Sequence, residues 1–501
     1  MHSRHTQSMG RTDLTVRTET QHALPVSLSV DLYEVSSAQD VLGDASVFSY
    51  VANDGQAQAS ERPVLFVFNG GPGSSSMWLH LSGLAAFTAP VGDPSGTTAP
   101  LSSRIRATEN SVLDVTDIVF IDPLGAGYGR RAADVDLKKT AGTSADSKSF
   151  AAIIRAWLRD SKRLGCPVHL LGESYGTLRA AVLADLLRSE ESIMVEGVGL
   201  LGQALNVMDT AQRPGNPLGY IANMELLAAA GWYHGLVNAP TVDDAVTTAA
   251  ELARGQYAHT LLNWHQTTDE QRQELAKRLE AVTGLTAAEW LRRKLRITKE
   301  QFRDELLRSK GLRLGKYDAR YATASWDADR GDLPVEPDTE TFAPIYQACL
   351  QQVLTEIVGV ETDRDYLRHD DGLAGKWDWS LEPLDAAGGP FARFDHAGSL
   401  IKWMHRGSTS RLLIGTGLYD TLTTIGAADI LLATANLPIE RVLRRTYPGG
   451  HMMYTDPESA RLLAQDVKSL VQGQGQHNRD RDSRDGGPTV NTQHSSVDSP
   501  R

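Results

Sequence analysis

Ser174, Asp420 and His451 are residue types that together can run nucleophilic acyl transfer, and they occur in that order along the chain. A serine hydroxyl is a weak nucleophile. It needs a base to take its proton, and the base needs a carboxylate to orient it. Ser174 is the centre of Gly172-Glu-Ser-Tyr-Gly176, with glycines two positions before and two after it. That spacing suits a turn tight enough to lift the hydroxyl clear and set it at a helix N-terminus, where the dipole favours developing negative charge. His451 follows Gly449 and Gly450, and Asp420 follows Gly417-Leu-Tyr. In a chain with 44 glycines and 14 histidines, each feature alone also reads as a plain turn, loop cap or exposed ring. Their order and their places after strands give them weight together. A second glycine-rich run, Asn69-Gly-Gly-Pro-Gly-Ser-Ser-Ser76, lets backbone N–H groups approach a ligand closely.

These residues need elements to hold them. Val168 to Leu171 is an apolar run that predicts a buried strand into Gly172, and Leu178, Val182, Leu183 and Leu186 predict a helix after it. Strand, G-x-S-x-G, helix is the context of a nucleophile elbow. Pro63–Phe68, Asp117–Asp122, Glu196–Leu201, Arg411–Gly415 and Val442–Tyr447 read as further buried strands. Ser149 to Leu164 reads as an amphipathic helix between two of them. Val26 to Leu32 alternates apolar with polar residues, and Val47 to Val51 continues it, as an antiparallel edge would. Alternating strands and helices predict an α/β protein with a doubly wound, mostly parallel sheet, and together with the elbow and the Ser, Asp, His order this resembles the α/β-hydrolase fold. Residues 205–395 are rich in helix formers and predict a mainly helical cap insertion, near whose end Trp377 and Trp379 are expected in the core or in a pocket wall. The expected organisation is a disordered segment 1–22, a core part 23–204, the cap 205–395, a second core part 396–472 and a disordered tail 473–501.

Composition limits the partners. The 501 residues carry a formal net charge of -12 and no long basic run, so no nucleic-acid partner is expected. No stretch of about 18 apolar residues occurs, so no membrane span is expected. Cys166 and Cys349 are far apart, which predicts buried thiols rather than a metal site or a disulfide framework. No cofactor and no metal are implied. The N-terminal residues lack an apolar signal segment, so the expected compartment is the cytoplasm, or a secreted or periplasmic location if the true start lies elsewhere. The sequence leaves a homodimer open.

The chain resembles the serine carboxypeptidases. Asn69-Gly-Gly-Pro-Gly-Ser-Ser-Ser76, Gly172-Glu-Ser-Tyr-Gly176, Gly417-Leu-Tyr-Asp420 and Gly450-His-Met452 carry the likeness, and Ser75–His80, Trp232–Gly235 and Lys316-Tyr-Asp-Ala-Arg320 look like the bacterial branch. The resemblance implies that Gly71 and Tyr175 donate backbone N–H groups to an oxyanion, and that Asn69 and Glu173 bind the C-terminal carboxylate of a peptide. An acid grips a carboxylate only when the pair shares a proton, so peptide binding is expected to be best at mildly acidic pH. The chain departs from the family pattern at Val67, where a tryptophan is usual, at Asp122-Pro123, which lacks an intervening glutamine, and in Met77 to Pro90, which holds no acid to pair with Glu173. The expected function is therefore a serine-type carboxypeptidase acting through an acyl-enzyme on a peptide. The alternative is an acyltransferase or esterase that uses the same three residues on an acyl substrate, and a binding protein that kept the fold is a distant third.

Overall fold

The computed structural model describes residues 1–19, 23–53, 61–91, 94, 104–324, 336–373, 375–381 and 393–473. The expected tail 473–501 lies outside the described residues except for Gly473. Nine strands form one sheet: β1 (His2–Arg17), β2 (Ala23–Ser36), β3 (Val41–Ala52), β4 (Val64–Phe68), β5 (Asp117–Ile121), β6 (Val168–Glu173), β7 (Val195–Leu201), β8 (Arg411–Gly417) and β9 (Val442–Tyr447). Their order is β1-β2-β3-β5-β4-β6-β7-β8-β9. The strands from β5 to β9 in that order pair in parallel, whereas β1, β2 and β3 pair antiparallel, as does β3 with β5.

Residues 1–22, expected to be disordered, instead carry β1, which runs antiparallel along β2. The strand escapes a period-two reading because it is the sheet edge. Gly10, Thr12, Leu14 and Val16 do turn inward against exposed Arg11, Asp13, Thr15 and Arg17, but only Met9 and Val16 are buried and the inward positions include Gly10 and Thr12, so the alternation is not one of apolar with polar residues. Its ladder and cross-strand pairs such as Arg4 with Glu34 hold it in place.

The central strands show why their runs are continuously apolar. In β4, Leu65 and Val67 enter one core, while Val64, Phe66 and Phe68 enter the other. Helices cover both faces. On one side lie α1 (Thr143–Asp160), α2 (Tyr175–Glu191) and α3 (His396–Arg406), which bring Phe150, Trp157, Leu178 and Trp403 to the core. On the other lies α4 (Pro457–Gln472), through Leu463, Val467 and Leu470.

The chain leaves β4 toward β5 on one side and returns to β6 on the other. Loops after β4 and β6 thus flank a switch in direction, which in open α/β sheets is where ligands bind. Register brings the two loops together. Phe68 pairs with Gly172, so the next residues, Asn69 and Glu173, end level with one another.

Between β7 and β8 the described residues are mainly helical, with one short hairpin, Leu312–Leu314 against Ala322–Ala324. Helices over Met224–Tyr233, Val242–Leu252 and Asp269–Thr283 close a third core around Trp290, Tyr257 and Phe302. That core reaches Leu418, Tyr419 and Ile425, which flank Asp420. Cys166 and Cys349 are buried thiols. Among the described residues, no helix is long and apolar enough to cross a membrane, and no group of three or more His, Cys, Asp or Glu is arranged to hold a metal.

Candidate active site

Ser174 sits between the end of β6 and the start of α2 with φ 57° and ψ -126°. A left-handed φ at a non-glycine residue costs on the order of 1–3 kcal/mol, so the surrounding packing must hold it. Ser174 N–H donates to the Leu201 carbonyl at 2.8 Å, pinning the turn to β7. Gly70 packs flat on the turn. A methyl at its α-carbon would lie 2.5 Å from Tyr175 N and 2.7 Å from the Glu173 carbonyl. Only glycine lets the two loops come that close.

His451 Nδ1 lies 2.8 Å from Asp420 Oδ2. Asp420 is fully buried and also accepts from the N–H groups of Leu422 and Thr423 and, at 2.6 Å, from Thr423 Oγ1. Burial pushes the Asp420 carboxyl up, but His451 and the Thr423 donors outweigh it and hold the pKa below the ordinary value. Burial likewise pulls His451 down, while Asp420 and then Glu173 more than offset this and leave it raised.

Ser174 and His451 line one cavity of about 520 Å³. Asn69, Gly71, Glu173 and Tyr175 share its wall, so six of the seven residues singled out from the sequence meet there, with Asp420 directly behind His451. Tyr175 is the first residue of α2, a position whose N–H has no acceptor within its own helix. The Asn69 amide donates to Glu173 Oε2, and Asn69 Oδ1 accepts from Leu79 N–H at 3.0 Å. Trp379 also lines the cavity, and the rings of Trp377 and Trp379 stand edge-on to Tyr175 at 5.2 and 5.7 Å.

Burial raises the pKa of Glu173 to about 7, against the opposing charge of His451 and the hydrogen bonds from Tyr454 and Asn69. Tyr454 is the partner that sequence reasoning missed. Its hydroxyl donates to Glu173 Oε2 at 3.0 Å, and it stands three residues after His451. The chain thus puts a phenol against the elbow glutamate, and Met77 to Pro90 holds no acid to pair with it. Arg179 and Asp146 were also missed. Arg179, buried on α2, binds Asp146 through Nε at 2.7 Å and the Asn69 carbonyl through Nη1 at 2.8 Å. It ties the glycine-rich loop to the nucleophile helix. The sequence signal was an arginine set among the apolar residues Leu178 to Ala184 in the first half of α2.

The segment Lys316–Arg320 acts as a buttress. Tyr317 accepts from the His451 N–H at 2.6 Å, Lys316 accepts from Thr421 Oγ1, and Ala319 N–H donates to the Tyr419 carbonyl at 3.0 Å. Arg320 reaches the Pro448 carbonyl at 2.8 Å. One short segment therefore holds both the Asp420 loop and the His451 loop.

A mostly parallel sheet with helices on both faces and a strained serine between strand and helix defines an α/β-hydrolase. The model of the family described as serine carboxypeptidase matches residues 38–318, just over half of the chain. The chain belongs to that family and is a hydrolase. Asn69, Gly71, Glu173, Ser174 and Tyr175 fall inside the matched residues, and Asp420 and His451 beyond them. No curated protein matches the chain. Among solved structures it is similar to a peroxisomal α/β-hydrolase of Saccharomyces cerevisiae, at 12% identity over 90% of this chain and 91% of that one, with a TM-score of 0.36. It is also similar to a thermostable carboxyl esterase of Bacillus coagulans, at 10% identity over 93% and 99%, with a TM-score of 0.37. At these values the likenesses carry no argument about activity.

Proposed function

We propose that this hydrolase removes C-terminal residues from peptides through an acyl-enzyme. The reading rests on one observation: the His451–Asp420 pair and the Asn69–Glu173 pair share a cavity with the strained Ser174. In the reaction, His451 Nε2 takes the Ser174 proton as Oγ attacks the scissile carbonyl. Asp420 keeps the proton on Nδ1 and balances the imidazolium. The N–H groups of Gly71 and Tyr175 receive the oxyanion, each worth roughly 3 kcal/mol in comparable sites. His451 then protonates the departing amine, and water repeats the sequence on the ester.

Asn69 and protonated Glu173 are the proposed ligands of the free α-carboxylate. Glu173 Oε1 has no hydrogen-bond partner among the described residues and so is left to share its proton with the substrate. Cleavage of paired peptides with free and amidated C-termini across pH tests the reading. Faster cleavage of the free acid, fading above about pH 7, is expected. Equal cleavage of both would remove the carboxylate clamp.

The competing reading is acyl transfer to a hydroxyl or amine. It is favoured by the phenol of Tyr454 standing on Glu173 in place of a second acid. Mass spectrometry with added nucleophiles separates the two, because hydrolysis alone leaves water as the only acceptor.

A further inference from the structure

Two cations line the cavity, and the chemistry described above uses neither. Lys316 and Arg368 come from separate segments, each hydrogen-bonded to a loop that carries site residues. The Arg368 carbonyl accepts from Ser75 N–H at 2.9 Å, and Asp370 N–H donates to the Gly73 carbonyl at 3.0 Å, so Arg368 is fastened to the glycine-rich loop. Lys316 precedes the Tyr317 carbonyl that accepts from His451. Lys316 is half-buried and Arg368 is exposed. Among the described residues neither side chain is in an ion pair.

The remaining ionisable groups do not cancel this charge. Asp371 lines the same wall, but its side chain is fully exposed and stands 3.5 Å from His369 Nδ1. Glu173 holds its proton until about pH 7, and Asp420 is paired behind His451. A second cavity, of about 470 Å³, shares Arg368, His369 and Asp371 with the first. Arg368 thus stands where the two cavities meet.

We propose that Lys316 and Arg368 select substrates carrying a carboxylate side chain beside the bond to be cut. This deepens the reading of the site as one that forms an acyl-enzyme on Ser174 and rests on it. A carboxylate entering the cavity finds two cations on fixed backbone, neither of them in an ion pair among the described residues; the Lys316 ammonium lies 5.9 Å from the Tyr317 ring centroid. A neutral side chain gains nothing from them, and a basic one is repelled. Because Arg368 is exposed, each cation is expected to contribute about fivefold in kcat/KM rather than the hundredfold of a buried pair.

The test uses free-acid peptides differing only by Glu, Gln or Lys, placed at the last position in one series and at the penultimate position in another. The expected order is Glu, Gln, Lys in one of the two series, carried by KM, and it flattens toward about 1 M salt, where screening acts over roughly 3 Å. A Lys316→Glu, Arg368→Glu double variant is expected to invert the order, a gain that a misfolded protein cannot show. Arg368→Lys is expected to keep it. Equal rates for Glu, Gln and Lys in both series would overturn the proposal, as would an order that survives the double reversal. If no peptide is cut, the peptidase reading fails instead. The p-nitrophenyl esters of N-acetylglutamate and N-acetylglutamine then read the charge preference alone, and equal hydrolysis of the two would overturn it.

Discussion

The Tyr454 hydroxyl donates to Glu173 Oε2 at 3.0 Å, linking the residue before Ser174 to the segment just after His451. The bond favours the ionised form of Glu173, while burial favours the neutral one and wins. Removing the donor in Tyr454→Phe should raise the Glu173 pKa by roughly one unit. The alkaline fall in kcat/KM for a free-acid peptide should then move to higher pH, while an amidated peptide shows no such shift. An unmoved limb would separate Glu173 from carboxylate binding.

Glu173→Gln fixes the neutral form at every pH. In the native chain the proton is lost as pH rises through about 7, so KM for free-acid peptides should climb above that point. In the variant KM should stay flat, lying about tenfold below the native value one unit above the Glu173 pKa. Initial-rate measurements from pH 5 to about 8.5 read the difference.

Ser174→Ala should lower kcat by about 10⁴-fold or more and abolish labelling by a sulfonyl fluoride. Asp420→Asn should cost a comparable factor, because the imidazole loses the partner that sets its tautomer. Asp420 also raises the His451 pKa, and the base must be neutral to work. Without the carboxylate the pKa falls, so the acid limb of the residual activity should shift to lower pH.

Arg179→Leu should destabilise the protein by roughly 3 kcal/mol, since it leaves the buried Asp146 carboxylate without its cation and with the Tyr175 hydroxyl as remaining donor. It also releases the Asn69 carbonyl. A combined Asp146→Asn, Arg179→Leu variant should recover part of the stability but not the free-acid preference, which depends on where Asn69 is held. Denaturant melts paired with the peptide assay distinguish the two effects.

Glu225 is buried with Oε2 unpartnered among the described residues, and burial raises its pKa to about 7 although Arg254 lies 3.0 Å from Oε1. Its folded-state pKa is above the unfolded value. The stability that Glu225 contributes should therefore be lost as pH rises from about 4.5 to 7. Glu225→Gln lacks that titration, so its melting temperature relative to the native chain should rise over the same interval. Calorimetry at pH 4 and pH 8 checks the sign.

Much of this protein is determined locally. Continuous apolar runs such as Val64–Phe68 form buried parallel strands because both sheet faces are covered. Gly172 and Gly176 permit the elbow because backbone packs against both. Ser174, Asp420 and His451 were legible for the same reason: each stands at a strand end where short-range pattern fixes its place. The N-terminal strand was not legible, because an edge strand draws its stability from the ladder to β2 and needs no apolar face. What only the tertiary structure decided are the meetings between distant segments. No local pattern says that Tyr454 will stand on Glu173, that Arg179 will hold the Asn69 carbonyl, or that Lys316 and Arg368 will share a cavity. Those contacts follow from sheet register and from the way the helical segments seat on the loops, and both depend on the whole chain packing at once.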